Sequence, residues 1–218
     1  MVVGHQRRGG YSMAVYHGPV CRLCRREGKK LFLKGKRCSS AKCPIEKNRK
    51  RPGELGKGFM RKETDYGRHL REKQRVKRMY RLAERQFRKY FERATQKKGI
   101  TGEELLKELE LRLDNVIYRT GLARSRMEAR QLVTHGHFMV NNRRVDIPSY
   151  AVKVTDVITL RKTKVPPNLE DALLMKVTPP KWITFDKESL NIEIVSLPRR
   201  DDVPEEIEER LIIELYSK

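Results

Sequence analysis

Hydrophobic residues are scarce in this chain of 218 residues. They make up 38% of the sequence, and the mean hydropathy is -0.73. Globular domains usually contain about 45–50% apolar residues, so the composition excludes a single large core of the kind found in big metabolic enzymes. No apolar run approaches the ~20 residues that a membrane-spanning helix requires. We therefore expect a cytoplasmic protein that has no membrane partner.

Acidic residues are also scarce, but only in the first half. Residues 1–100 contain 31 Lys and Arg and 8 Asp and Glu, whereas residues 101–218 contain 19 and 20. The net charge of +22 therefore comes from the first half alone, and such an imbalance indicates a polyanionic partner. Because cysteines, glycines and turns interrupt the basic half, it is unlike one membrane-surface helix. The sequence favours nucleic acid.

Cysteine is absent outside one short segment, which holds Cys21, Cys24, Cys38 and Cys43. Two close pairs on either side of a loop predict a metal site with four thiolate ligands, and four protein ligands make such a site structural and not catalytic. Disulfides are disfavoured in a cytosolic chain. We expect Zn as the cofactor, and an iron-sulfur cluster fits the same four ligands equally well.

Motifs of catalysis are missing as well. The sequence has no P-loop and no glycine-rich dinucleotide fingerprint,. A triad of Ser125, Asp114 and His135 can be imagined, but Ser125 is already required as a helix cap. We predict no catalytic residues, no enzymatic activity and no small-molecule substrate.

Apolar periodicity and caps predict the secondary structure. Residues 65–97 have helical spacing with a basic outer face, and they form either one helix or two. Thr101 and Ser125 each begin an S/T-x-x-E capping box. The first of these predicted helices runs to Gly121, and the second ends at Gly136.

Beyond Gly136 the period changes to two. Residues 137–145 predict a hairpin that turns at Asn141-Asn142. Further strands are predicted at residues 156–160, 183–185, 192–195 and 212–216. The acidic end, residues 201–218, suits a surface turned away from the polyanion.

Several segments carry a family resemblance. The stretches Arg112–Gly121 and Ala129–Val140, followed by Pro148–Tyr150, resemble the RNA-binding domain named after bacterial small-subunit ribosomal protein four. Leu70–Gln74 and Glu84–Arg88 resemble the helical domain of that family. Tyr16–Cys24 resembles the start of its four-cysteine subtype. The resemblance covers nearly the whole chain from Met13.

The resemblance implies an α+β fold. It has an N-terminal four-cysteine metal knuckle, a basic helical domain, and an inserted RNA-binding domain of helices packed on a small antiparallel sheet. It also implies a structural constituent of the small ribosomal subunit, a primary binder of small-subunit rRNA that nucleates assembly of the subunit body and influences translational accuracy. The implied partners are the rRNA, small-subunit ribosomal protein five and mRNA.

The predicted domain boundaries follow from these signals. A flexible basic arm (1–20) precedes the four-cysteine region (21–50), the basic helical domain (51–102) and the RNA-binding domain (103–165). A C-terminal segment (166–218) of short strands and helix, with its acidic end, packs back on the other domains. Because Met13 resembles the usual family start, residues 1–12 are either an added arm or the product of a start placed too far upstream.

The predicted RNA-binding residues lie in two groups. In the helical domain they are Arg71, Lys73, Arg75, Arg78 and Arg85. In the RNA-binding domain the resemblance implies Arg119, Arg124, Ser125, Arg126, Arg130, Gln131, His135, His137, Asn141 and Arg143. Helical spacing places Arg126 and Arg130 opposite buried Ala129 and Val133, so both are expected to face solvent.

This sequence departs from the family pattern in three turns, one of which has Thr155 where the family usually has Gly. Asn142 stands where the family usually has Gly, and Asn tolerates the left-handed conformation. The family's Gly and capping Ser are absent from Tyr80–Glu84.

Two other classes of protein remain open at this point. One is an RNA-modifying enzyme or heat-shock RNA binder that uses the same module, although the chain has no room for a catalytic domain. The other is a zinc-containing RNA- or DNA-binding regulator of gene expression outside the ribosome. RNA is preferred to duplex DNA because no helix-turn-helix or finger spacing is present.

Overall fold

The computed structural model describes residues 16, 18–53, 64–161, 173, 177–203 and 206–217. The helices are α1 (Cys21–Glu27), α2 (Asp65–Met79), α3 (Glu84–Gln96), α4 (Thr101–Glu110), α5 (Leu113–Arg119), α6 (Arg126–Thr134) and α7 (Glu209–Tyr216). Single 3-10 turns lie at Gly35–Ser39 and Arg200–Asp202. The strands are β1 (Phe138–Val140), β2 (Arg143–Arg144), β3 (Val157–Leu160), β4 (Ile183–Asp186) and β5 (Asn191–Ile194). Most of the predicted arm, including residues 1–12, lies outside the described residues.

The described helices are all too short or too polar to span a membrane. The basic segment 65–97 forms two helices, α2 and α3. Leu82 N–H donates to Lys77 O at 2.9 Å and Arg81 N–H to Arg78 O at 3.2 Å, while Arg81 has a left-handed φ of 57°. This pair of bonds closes α2 with a Schellman turn.

The prediction of a single helix from Thr101 to Gly121 is wrong, because the helix is interrupted between α4 and α5. Leu113 N–H donates to Tyr150 O, and Val152 N–H donates to Leu111 O, both at 2.9 Å. The Leu113 N–H and the Leu111 carbonyl are therefore bonded to the segment around residue 151. In a continuous helix these two groups would bond within the helix. Thr101 is the first helical residue and makes no side-chain cap.

Other local predictions are confirmed. The Ser125 hydroxyl accepts a hydrogen bond from Glu128 N–H at 3.3 Å at the start of α6. Gly121 and Gly136 have left-handed φ angles of 82° and 73°, which end their helices as expected,.

One antiparallel sheet holds all five strands in the order β2-β1-β3-β5-β4. The β1–β2 hairpin pairs Val140 with Arg143, and its turn residues Asn141 and Asn142 have φ angles of 48° and 63°. Positive φ at both central residues is the signature of a type I′ turn. The Asn141 side chain also accepts from Val157 N–H at 3.0 Å, which fixes the turn to β3.

The buried hydrophobic residues form two cores. The first core joins α2, α3, α4 and α7, and includes Leu31 and Leu33 from the cysteine region. The second core joins α5, α6 and the sheet, and includes Trp182. Because Leu105 and Leu109 of α4 belong to the first core, the sheet-containing unit begins at the α4–α5 break and not at residue 103.

The predicted strand at 212–216 is wrong, because this segment belongs to α7. Ile212 is buried in the first core, and α7 packs against α2 and α4. A Cβ atom on Gly102 would lie 2.6 Å from Glu209 Cβ, so the absence of a side chain there permits the close approach of α4 and α7.

Candidate nucleic-acid interface

The basic face of α2 is largely engaged in contacts within the protein. Lys73 Nζ lies 2.5 Å from Glu84 Oε1, and Arg75 binds Glu72 at 2.5 Å. Both cations are buried, with exposed fractions of 8% and 5%. Their charges therefore hold the first core together, and the expectation that this whole face is presented to RNA is wrong for these two residues.

The acidic end of the chain lies against this basic helix. Arg75 donates to Glu206 O, and His69 Nε2 lies 3.2 Å from Glu214 Oε2. Glu208 N–H donates to the Glu72 carboxylate at 3.0 Å. The acidic end thus neutralises part of α2, which the sequence pattern alone did not indicate.

Helix α1 is attached to α2 by a buried carboxylate. The Glu27 side chain, 1% exposed, lies between Arg78 and Arg71. Arg71 approaches it at 3.5 Å, and both arginines are half-buried. These two predicted RNA contacts therefore also position the cysteine region.

A buried polar network joins the two cores. The Glu110 carboxylate accepts from Arg119 at 2.7 and 2.9 Å, from Tyr80 OH at 2.5 Å and from Asn115 at 2.8 Å. Arg126 Nε donates to Asn115 Oδ1 at 2.8 Å. Four segments, α2, α4, α5 and α6, meet at this network. We call Tyr80, Glu110, Asn115, Arg119 and Arg126 the junction network.

The expectation that Arg126 faces solvent is therefore wrong. Its side chain is sandwiched by aromatic rings, with the guanidinium 4.7 Å from the Tyr80 ring centre and 4.5 Å from that of Tyr118. Arg126 is 5% exposed and Arg119 is 9% exposed. Helical spacing identifies which residues share a face, but it does not identify a second helix that covers that face.

A second buried ion pair lies beside the junction network. Arg112 donates to both oxygens of Asp114, at 3.0 and 2.6 Å, and to Tyr90 OH at 2.6 Å. Arg130 Nη1 approaches Asp114 Oδ2 at 3.8 Å. Arg130 is half-buried, so its guanidinium helps to offset the charge of Asp114.

The groups considered for a catalytic triad have other partners. Asp114 is held by Arg112, and the Ser125 hydroxyl caps α6. The His135 and His137 rings have centroids 6.3 Å apart. Asp114 and Ser125 are therefore both engaged in structural contacts.

The remaining predicted contacts divide by exposure. His137 and Ser125 are buried, and Arg124 is half-buried and bound to Glu128 at 3.0 Å. The exposed residues are Arg85, Gln131, His135, Asn141 and Arg143. The Asn141 amide is already bonded to Asp156 and Val157, so its role is at least partly structural.

Two cations absent from the sequence prediction adjoin this exposed set. Arg161 Nη1 donates to Gly136 O at 3.2 Å, and a Cβ atom on Gly136 would lie 2.7 Å from Arg144 Nε. The loop after α6 therefore sits between two arginines of the sheet. We call His135, Arg143, Arg144 and Arg161 the hairpin patch. The sequence offered no periodic signal that distinguishes these arginines from other surface cations.

The four cysteines form no disulfide, and three of them are buried. Cys38 Sγ accepts from Lys34 N–H at 3.3 Å. Burial raises the pKa of Cys24 to about 11, a hydrogen bond from the Leu31 backbone opposes the rise, and the nearby thiols of the other cysteines add to it. Ionised thiols of the four cysteines would therefore repel one another. In the described part of the chain no group of three or more His, Cys, Asp or Glu has the geometry of a metal site.

Two known family models match parts of both cores. The model for the ribosomal protein S4/S9 N-terminal domain matches residues 15–110, and the S4 domain model matches residues 111–158. The boundary between the two matches falls at the break between α4 and α5.

Named relatives match over their whole length. The chain is 52% identical to the small ribosomal subunit protein uS4 of Desulfitobacterium hafniense (strain DSM 10664 / DCB-2) and 54% identical to that of Acetivibrio thermocellus. Each alignment covers 94% of this chain and 100% of the relative. The resemblance to this ribosomal protein family is thereby confirmed, whereas the four-cysteine subtype stays a prediction. The chain belongs to the uS4 family of small ribosomal subunit proteins.

Proposed function

We propose that this chain is a structural constituent of the small ribosomal subunit in the cytoplasm and that it binds small-subunit rRNA. The observation that carries the proposal is the match to proteins named uS4 over 94% of the chain. The excess of positive charge in residues 1–100 supplies the attraction for RNA phosphates,. A regulator outside the ribosome is not favoured, because the likeness to ribosomal proteins extends over both cores.

The finer role is a primary rRNA binder that nucleates assembly of the subunit body and influences translational accuracy. Two separate cores joined by the junction network support this role, since they present two rigid surfaces at a fixed spacing to a folded RNA,. Small-subunit ribosomal protein five and mRNA are the further partners that we propose.

The RNA surface that we propose consists of exposed and half-exposed cations. It includes the hairpin patch and, on the helical side, Arg85, Arg71 and Arg78. The buried Lys73, Arg75, Arg119 and Arg126 are left out of it, because each is both buried and bound to a side-chain oxygen within the protein.

The proposal is tested by binding and sedimentation. In filter-binding titrations with folded small-subunit rRNA, log affinity against log salt should have a slope of about -0.7 to -0.9 for each neutralised phosphate. The protein should also remain with small subunits in high-salt gradients. A slope near zero, or loss from the subunits, would contradict the proposal.

We also propose that Cys21, Cys24, Cys38 and Cys43 hold one structural metal centre, Zn or an iron-sulfur cluster. The all-sulfur donor set and the burial of three of the thiols support it. When bound, the metal would cross-link α1 to the 3-10 turn at Gly35–Ser39.

The metal proposal is tested on protein purified under reducing conditions. Elemental analysis should find one Zn per chain, or iron together with visible absorption, and Cys38→Ser should release it. Ser39→Ala, which changes an exposed neighbour, should retain it. Because Leu31 and Leu33 belong to the first core, we expect metal loss to loosen that core and not only the cysteine region. Absence of both metals in the native protein would refute the proposal.

A further inference from the structure

Arg81, in the turn between α2 and α3, is a buried cation without a carboxylate partner among the described residues. It is 8% exposed, and its Nη2 donates to Tyr16 O at 3.0 Å and contacts Met127 Sδ at 3.2 Å. Its buried Nε has no hydrogen-bond partner within the part of the chain that the structure describes. Arg112 and Arg119, which are buried to a similar degree, each face a carboxylate.

The backbone of Arg81 is also unusual. Its φ of 57° lies in the left-handed region, where an L-residue with a side chain is strained and glycine is not,. Strained residues persist where the surrounding structure holds them, and they cluster at binding sites. Burial, and then the charge of Arg130, lower the pKa of Arg81. The protein thus holds a guanidinium in surroundings that disfavour its charge.

This guanidinium lines an open groove of about 580 Å³ between the cysteine region and α6. Lys34 and Lys36 lie on one wall, and Arg124 lies on the other beside its partner Glu128. The walls meet at Gly35, where a Cβ atom would lie 2.7 Å from Arg124 O. Grooves of roughly 300–1,000 Å³ accommodate small ligands, so a nucleotide phosphate and its sugar fit.

We infer that Arg81, together with Lys34 and Arg124, binds a backbone phosphate of RNA in this groove. A guanidinium presents its N–H donors as a planar fork that matches two phosphate oxygens. Such a phosphate would offset a buried charge that no carboxylate among the described residues offsets. The inference rests on the proposed rRNA binding and assigns one contact within it.

The direct test compares Arg81→Gly with the unaltered chain in filter binding to folded small-subunit rRNA. Because one charge-assisted contact is lost, affinity should fall on the order of tenfold. The slope of log affinity against log salt concentration, called the salt slope below, should become shallower by about 0.7 to 0.9. Glycine accepts the left-handed backbone without strain, so the melting temperature should stay the same or rise.

A matched control is Arg210→Ala, which removes the same charge from the acidic helix α7. The Arg210 side chain is 90% exposed and pairs with Glu214. We expect its salt slope to equal that of the unaltered chain. A second readout uses inorganic phosphate against chloride at equal ionic strength, where phosphate should raise the melting temperature of the unaltered chain more than that of Arg81→Gly.

The outcomes separate the two proposals. If the unaltered chain binds rRNA and Arg81→Gly binds with the same affinity and slope, the groove assignment is overturned while rRNA binding stands. A difference in the phosphate effect without any loss of RNA affinity would also overturn it, because the anion held by Arg81 would then not be RNA. Failure of the unaltered chain to bind rRNA would overturn the proposed function itself.

Discussion

The two cores differ in how far apart in the sequence their contacting polar residues lie. In the helical core, polar contacts join residues that are far apart in sequence: Arg75 and Glu206 are separated by 131 positions, and Glu84 and Tyr216 by 132. In the sheet core, Asn141 reaches Asp156 over only 15 positions. The helical core therefore depends on a segment from the end of the chain, whereas most of the sheet core is specified locally.

The same residue type has different roles in these settings. Arginine is a cross-link where a carboxylate or an aromatic ring covers it, as at Arg119 and Arg126, and an exposed cation where none does, as at Arg143. Composition counts all three in the net charge, but only the uncovered ones can reach RNA. Contacts within the protein, and not charge alone, decide which arginines are available.

The largest expected effect is at the junction network, where the two cores meet. Glu110→Gln removes the carboxylate that Arg119 and Tyr80 contact. Breaking a buried ion pair from one side costs about 3–5 kcal/mol, and chemical denaturation should show that loss. Glu92→Gln is the control, because its pair with Arg88 is exposed and should be worth at most about 1 kcal/mol. Equal losses in the two variants would contradict the account.

Next in size is Ile212→Ala in α7. This side chain is 0% exposed in the helical core, and truncating a buried Ile to Ala costs about 2–5 kcal/mol. Hydrogen exchange should accelerate in α2 and α4 before it does in the sheet, because α7 packs on α2 and α4. The matched variant Ile192→Ala, in β5 of the other core, should show the reverse order. Identical exchange patterns would mean that the cores are one cooperative unit.

A smaller effect distinguishes covered from exposed arginines. Arg126→Ala should lower the free energy of unfolding by about 2–3 kcal/mol, since it leaves Asn115 Oδ1 unpaired and removes two ring contacts,. Arg143→Ala should change it by no more than about 0.5 kcal/mol, while making the salt slope of rRNA binding shallower by about 0.7 to 0.9. Unchanged thermal stability in Arg126→Ala would show that its burial has been misassigned.

The smallest effect concerns pH and the contact between α3 and its neighbours. Burial raises the pKa of Glu84, but hydrogen bonds from Lys73 and Lys77 outweigh it, so the pKa is lowered below the usual 4.5. A lowered carboxyl pKa contributes stability above pH 4.5, and that stability is lost as the pH falls through the folded pKa. Half exposure limits it to at most about 1 kcal/mol.

Melting curves of the unaltered chain and Glu84→Gln should therefore differ at pH 7 and converge as the pH is lowered below 4.5. Glu188→Gln, which alters an exposed residue of the sheet region, should show no such convergence. A difference that grows on acidification would mean that the sign of the Glu84 contribution has been misjudged.

Local signals predicted most of the sheet-containing unit. The Ser125 cap, the glycines that end α5 and α6 and the Asn141-Asn142 turn each lie where the sequence placed them. These features depend on backbone preferences of a few adjacent residues, which any context leaves largely unchanged. The break between α4 and α5 was missed because its cause, pairing with residue 151, lies some forty positions away.

Tertiary contacts decided the remainder. The sequence by itself determined the family, the excess of cations and the caps and turns, because these reside in residue identity and short-range sterics. Only the folded structure determined that α7 is a helix, that Arg126 is buried and that Arg81 has no carboxylate partner among the described residues, because each depends on which distant segment packs beside it. An arginine looks the same in the sequence whether it is bound within the protein or exposed. Its neighbours in space decide whether it stabilises the fold or is available to RNA.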